Sequence, residues 1–170
     1  MIHVCSLNHL HATVASTGAG RIVSLLTAGT PVDRPNTVAV DDHLFLGMHD
    51  IIEAQPDMEL PARVHVEKLV EFAKSWDRAK PIVVHCFAGI SRSTAAAYII
   101  ACALAPERDE AELAKALRAA SPSATPNALL VAIADELLDR QGRMIVAIAA
   151  IGRGAEAAEG TPFMLDVWSS

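Results

Sequence analysis

The sequence predicts a single α/β domain, with a central, mostly parallel sheet of about four to five strands flanked by helices. Three observations predict it. Strand-like and helix-like segments alternate over the first ninety residues, the order expected where helices cover a parallel sheet. The run Pro81-Ile82-Val83-Val84-His85-Cys86 is apolar without alternation, which suits a strand buried on both faces at the sheet centre. Ala is dense in the second half, with fifteen in the fifty residues 101–150. Ala loses no side-chain entropy in a helix, so that half should be helical.

The elements follow in order. Ile2–Leu7 reads as a short buried strand, Asn8–Ser16 as a short helix ended by Gly18 and Gly20, and Arg21–Leu26 as a second strand. Gly29-Thr30-Pro31 and Asp33-Arg34-Pro35-Asn36 carry turn chemistry. Thr37–Val40 and His43–Met48 read as extended, separated by a turn at Asp41-Asp42. Ile51–Pro61 holds two prolines and no clear period, so it reads as a loop. Ala62–Trp76 sets Val66, Leu69, Val70, Ala73 and Trp76 on one helix face. After the central strand, Ser91–Ala105 is a helix stopped by Pro106. Glu107–Ala120 is another, with Glu107, Asp109 and Glu110 in its first turn and Lys115 and Arg118 later, as the helix dipole favours. Thr125 reads as an N-cap with Pro126 at the first helical position. That helix runs to about Gln141, and Met144–Ile151 reads as its continuation past Gly142. The tail from Gly152 has weak signals. With no repeat and no linker, residues 1–170 read as one domain.

Composition removes several function classes. Fourteen basic residues against twenty acidic give a net charge of −6, whereas a nucleic-acid binder wants a basic face. Three cysteines are too few and too odd in number for a disulfide framework, and they suit a reducing compartment. Met1-Ile2-His3-Val4-Cys5 lacks the basic and long apolar regions of a secretory signal. The longest apolar runs, Ala95–Ala105 and Met144–Ile151, fall short of the roughly 20 residues of a membrane span. A cytoplasmic protein without a membrane or nucleic-acid partner is expected. The histidines are scattered. Only His9 and His11 are close, and no Cys or carboxylate stands at ligand spacing beside them, so neither a metal nor a cofactor is expected.

The informative stretch is His85-Cys86-Phe87-Ala88-Gly89-Ile90-Ser91-Arg92-Ser93. It joins a buried strand to an Ala-rich helix, where free backbone N–H groups and the helix dipole favour an anion. A seven-residue loop from Cys86 to Arg92 can wrap a tetrahedral anion, with the amides of Phe87, Ala88, Gly89, Ile90 and Ser91 turned inward. Gly89 allows a backbone conformation closed to residues with a Cβ. Arg92 offers a planar fork to two phosphate oxygens. In that field Cys86 is expected as a thiolate, since helix N-termini lower cysteine pKa values.

These residues resemble the signature of the protein tyrosine phosphatase superfamily: His-Cys, five residues, Arg, then Ser or Thr. Within it the chain is most similar to small dual-specificity-type cysteine phosphatases, over about Arg21 to Leu138. The resemblance implies that Cys86 attacks phosphorus to form a thiophosphoryl intermediate. Arg92 and the loop amides would stabilise the equatorial oxygens, Ser93 would help the thiolate leave, and His85 would orient the loop. Asn127 corresponds to an Asn that braces the loop from behind. An upstream Asp would protonate the leaving oxygen. Asp50 directly follows the extended His43–Met48, and Asp57 lies in the same loop, so both stay open. Asp41 and Asp42 precede that strand and would face the wrong end of the sheet. The chain lacks the Trp-Pro before the acid, the Tyr-bearing recognition loop and the late Gln of receptor-like tyrosine phosphatases.

The expected substrate is a phosphorylated protein or small phosphate. No extra base stands in the loop, which disfavours multiply phosphorylated lipid headgroups. Two rivals keep the same residues. A rhodanese-like sulfurtransferase usually has a shorter loop and no acid, and an inactive phospho-binding module usually lacks the Cys, the Arg or the acid. Cys5 and Cys102 read as small buried hydrophobes, and Gly18-Ala19-Gly20 precedes a strand and reads as a turn.

Overall fold

Five strands form one sheet in the computed structural model, which describes residues 1–168. In chain order they are β1 (Ile2–Ser6), β2 (Arg21–Leu26), β3 (His43–Gly47), β4 (Ile82–Cys86) and β5 (Phe163–Leu165). The spatial order is β3-β2-β4-β1-β5, with every pairing parallel except that of β1 with β5. β4 therefore sits at the centre, and all five of its residues are buried. Unalternated apolar sequence and two-sided burial are one fact seen twice, because only a covered sheet rewards apolar side chains on both faces.

The two faces are unequal. The larger core joins Val4, Val84 and Cys86 to helices α2 (Arg63–Lys74), α3 (Arg92–Leu104), α4 (Glu110–Ala120), α5 (Ala128–Leu137) and α6 (Arg143–Ile151). The smaller core sets Cys5, Ile22 and Val83 against Leu10 and Val14 of α1 (Leu10–Thr17). Every residue of α3 from Arg92 to Cys102 is buried. A helix covered all round must pack closely on every side, and its run of Ala95, Ala96 and Ala97 permits that approach.

The structure departs from the sequence reading at several points. Thr37–Val40 is not a strand: it turns through Val38 N–H to Pro35 O and enters a 3-10 turn at Val40–Asp42. Its one fully buried side chain, Val38, plugs the smaller core. The tail supplies β5, whose three residues are too short for a periodic signal. Thr125 is not the cap of α5. Asn127 is, its side chain accepting from the N–H groups of Leu129 and Leu130. Finally, α5 and α6 are separate helices. Asp139, Gln141 and Gly142 take positive φ between them, and the buried Asp135 carboxylate accepts from Gly142 N–H and Met144 N–H at 2.7 and 2.8 Å. The start of α4 also shifts, since Asp109 is its N-cap and Glu110 is buried against Arg140 and Arg143.

Candidate active site

Cys86 ends β4, and α3 begins at Arg92, so the loop between them lies at the carboxyl end of the central strand. Its carbonyls are held from outside by other segments. Leu7 N–H donates to Phe87 O, Gly160 N–H to Ala88 O, Thr125 N–H to Ile90 O and Asn127 N–H to Ser91 O, at 2.8 to 3.3 Å. The Thr94 hydroxyl adds bonds to the carbonyls of Ile90 and Ser91. With its carbonyls bound outward, the loop can turn amides toward a bound anion, the arrangement of a nest. Gly89 sits at φ +73°, and a Cβ there would lie 2.8 Å from Cys5 C and Ser6 N. It is Gly both for conformation and for space.

The tail closes the opposite side. A Cβ on Gly160 would lie 2.7 Å from Gly89 O. The segment is tied down next door, where Ser6 Oγ donates to the Glu159 carboxylate and His9 Nδ1 stands 3.4 Å from it. No sequence signal marked this strap, because its partners are about 150 residues apart.

Inside the loop, Cys86 Sγ accepts from Gly89 N–H at 3.3 Å and lies 3.1 Å from Ser93 Oγ. Arg92 is buried. One of its terminal nitrogens donates to Met48 O at 2.8 Å, while its Nε is buried without a partner. Only one other buried side-chain nitrogen or oxygen among the described residues, Arg118 Nε, shares that condition. An unpaired buried guanidinium N–H costs on the order of 1–3 kcal/mol or more, so a donor left free at the end of this loop is one an oxyanion acceptor would satisfy. Phe87 projects from the loop into solvent, 67% exposed.

His85 faces the other side of β4 within a relay across three strands. Its Nε2 is 2.6 Å from Ser24 Oγ, which is 2.8 Å from His43 Nε2, while its Nδ1 is 3.3 Å from Cys86 O. One assignment satisfies every atom: Nδ1–H donates to the Cys86 carbonyl, Ser24 O–H donates to Nε2, and His43 Nε2–H donates to Ser24. Burial pushes the His85 pKa down to about 4, so the ring is neutral. Ser24 and His43 carried no sequence signal; they join His85 only because β2 is paired with both β3 and β4.

Asp50 follows β3 and reaches the loop. Its Oδ1 accepts from Ser91 Oγ at 2.7 Å and from Asn127 Nδ2 at 2.9 Å. Asp57 is in a left-handed turn with φ 59° and bonds to none of the loop residues. Asn127 meets both loops. Its side chain holds the acid loop, through Asp50 and Ile51 O, and only its backbone N–H reaches the phosphate loop. His49 staples that acid loop, its Nδ1 accepting from Glu59 N–H and its own N–H donating to Glu59 O.

The other thiols are chemically quiet. Burial pushes Cys5 up to about 11 and Cys102 up to about 12. Among the described residues no group of three or more His, Cys, Asp or Glu could hold a metal ion, and no helix is long and apolar enough to cross a membrane.

Solved structures of similar fold are phosphatases or phosphatase-like proteins. The PTP-2 phosphatase of Cydia pomonella is 19% identical, with a TM-score of 0.62 over 79% of this chain and 84% of its own. The human tyrosine phosphatase-like serine/threonine/tyrosine-interacting protein is 17% identical, with a TM-score of 0.63 over 82% and 92%. The Yvh1 phosphatase domain of Chaetomium thermophilum is 20% identical, with a TM-score of 0.61 over 84% and 93%. No curated protein matches the chain. One family model does, over residues 13–107, and its description is "Polymorphic toxin system, DSP-PTPase phosphatase". That span runs from α1 through α3 and contains Asp50 and the whole Cys86–Ser93 loop. The chain belongs to this family of dual-specificity-type phosphatases.

Proposed function

We propose that the protein hydrolyses phosphomonoesters, on a phosphotyrosine protein or a similar substrate, through a thiophosphoryl intermediate on Cys86. The observation that carries this is the unpartnered Nε of Arg92 at the end of a loop that begins at Cys86 and whose Phe87, Ala88, Ile90 and Ser91 carbonyls are bound by other segments. In the first step the Cys86 thiolate forms an S–P bond as the P–O bond to the leaving group breaks, and Asp50 gives its proton to the departing oxygen. Arg92 and the amides of Phe87 to Ser91 meet the charge on the three equatorial oxygens. In the second step water attacks phosphorus, Asp50 takes a proton from it, and the S–P bond breaks. The Ser93 hydroxyl, 3.1 Å from the sulfur, donates to the departing thiolate. His85 is a positioning residue that fixes the Cys86 peptide, and Asn127 positions Asp50. No cofactor enters. A reducing, cytoplasmic compartment suits a mechanism that needs a free thiol.

Hydrolysis of an aryl phosphate, with thiosulfate as the competing sulfurtransfer substrate, tests the reading. Phosphate release that Cys86→Ser abolishes is expected. Sulfurtransfer without phosphate release would overturn it in favour of a rhodanese-like enzyme. Phosphate binding without turnover would instead favour an inactive binding module.

A further inference from the structure

Beyond the loop lies an apolar cavity of about 590 Å³ that the proposed chemistry does not use. Its floor is Ile90 and Ser91 of the phosphate loop and Val131 of α5, and its far wall is Ile145, Ile148 and Ala149 of α6. The third side is the tail from Gly152 to Ala157. That wall is built rather than draped. Arg118 donates to the carbonyls of Ile151, Gly152 and Ala124. Gly154 is packed so closely that a Cβ would lie 2.5 Å from Ser123 C. A second hollow of about 610 Å³ begins at Asp50, Ile51 and Ile52. The two share Ser91, Thr125, Pro126 and Ala128 as a common wall, and we read the adjoining hollows as one groove from Asp50 to α6. Ser91, which donates to Asp50, stands where they meet.

We infer that this groove is the leaving-group subsite, and that it selects phosphomonoesters whose alcohol carries an uncharged aryl or branched aliphatic body beyond the ester oxygen. The inference rests on the phosphatase reading. An acid must face the leaving oxygen, so whatever is attached to that oxygen starts at Asp50, where the groove starts. Size and lining suit a small apolar body, since ligand sites are typically of this volume and mostly hydrophobic. At the far end Arg153 and Glu156 lie 3.8 Å from each other and offset one another, while Asp50 and Glu53 line the acid end, so among the described residues no unpaired cation lines the groove to hold a second anionic group. Ile145 is 45% exposed, an apolar side chain presented to whatever enters.

The test compares phenyl phosphate with biphenylyl phosphate, whose leaving groups have nearly equal acidity but differ by one apolar ring. The intact protein should favour the larger ester by about tenfold or more in kcat/KM, the usual worth of one well-filled apolar contact. Ile145→Glu should erase that preference by raising KM for the larger ester, while phenyl phosphate turnover stays within about twofold. Equal rates on both esters, or a preference that Ile145→Glu leaves intact, would overturn the subsite and leave the phosphatase reading standing. Turnover of neither ester would overturn both. Sedimentation that finds a dimer for the parent chain and a monomer for Ile145→Glu would give the groove to a second copy and overturn the subsite too.

Discussion

The phosphate loop and the acid loop meet at Ser91, yet they are held in different ways. The loop from Cys86 to Arg92 is anchored by four backbone N–H groups from three separate segments, and its two ends are the central strand and a helix buried from Arg92 to Cys102. Asp50 sits on an exposed stretch fastened by side chains: Ser91, Asn127 and the His49 staple. Backbone anchors survive most substitutions, whereas a side-chain anchor is one mutation from being lost. The proposed nucleophile and anion cradle are therefore pre-organised by the fold, while the proposed acid is positioned by replaceable contacts. Acid loops that can detach can also move, which suits a group that must serve first as acid and then as base.

If the comparison holds, damage to the cradle should be deep and damage to the acid loop graded. Cys86→Ser should abolish turnover altogether but keep oxyanion binding, because Arg92 and the amides remain. Vanadate should still raise its melting temperature by linkage, and appreciable residual activity would remove Cys86 as nucleophile. Arg92→Lys comes next, with a loss of about 10²–10³ in kcat, the scale of a lost oxyanion donor. A point charge cannot replace a fork, and steady-state kinetics on an aryl phosphate measures this.

The His85 relay supports the cradle from below and makes a pH prediction. Its folded pKa, about 4, is depressed below the unfolded value, so its contribution is fully present above about pH 6.5. It is lost as the pH falls from there toward 4, by about 3 kcal/mol. Urea unfolding of the native chain and of His85→Asn across that window should show the variant losing less stability on acidification; identical pH slopes would exclude the relay. Asn127→Ala should have the smallest effect on the cradle. It removes a helix cap, at about 1 kcal/mol, and frees Asp50. Oxyanion affinity should hold while kcat drops, and a matching loss in vanadate affinity would show that Asn127 serves the cradle after all.

Legibility in the sequence divides along the same line. β4, Gly89 and Arg92 are readable because local sequence dictates them: an unalternated apolar strand, a position needing positive φ, and a cation opening a helix. Asp50 and Asp57 read alike in the sequence, since what separates them is contact with Ser91 and Asn127 from distant segments. Ser24, His43, Glu159 and Gly160 leave no local trace, because strand order and tail path alone bring them to the site. The break between α5 and α6 was hidden similarly, with Asp135 capping a helix that begins eight residues later.

The most direct test of the separation between cradle and acid is the dependence of rate on leaving-group acidity in Asp50→Asn and Asp57→Asn. The account predicts that Asp50→Asn slows phenyl phosphate by about 10²–10⁴-fold. Its loss should be much smaller on an ester whose leaving group needs little protonation, with vanadate affinity unchanged and the basic limb of the pH–rate profile flattened. Asp57→Asn should track the parent throughout. The reverse ranking, or an Asp50→Asn loss that is equal for good and poor leaving groups, would contradict it.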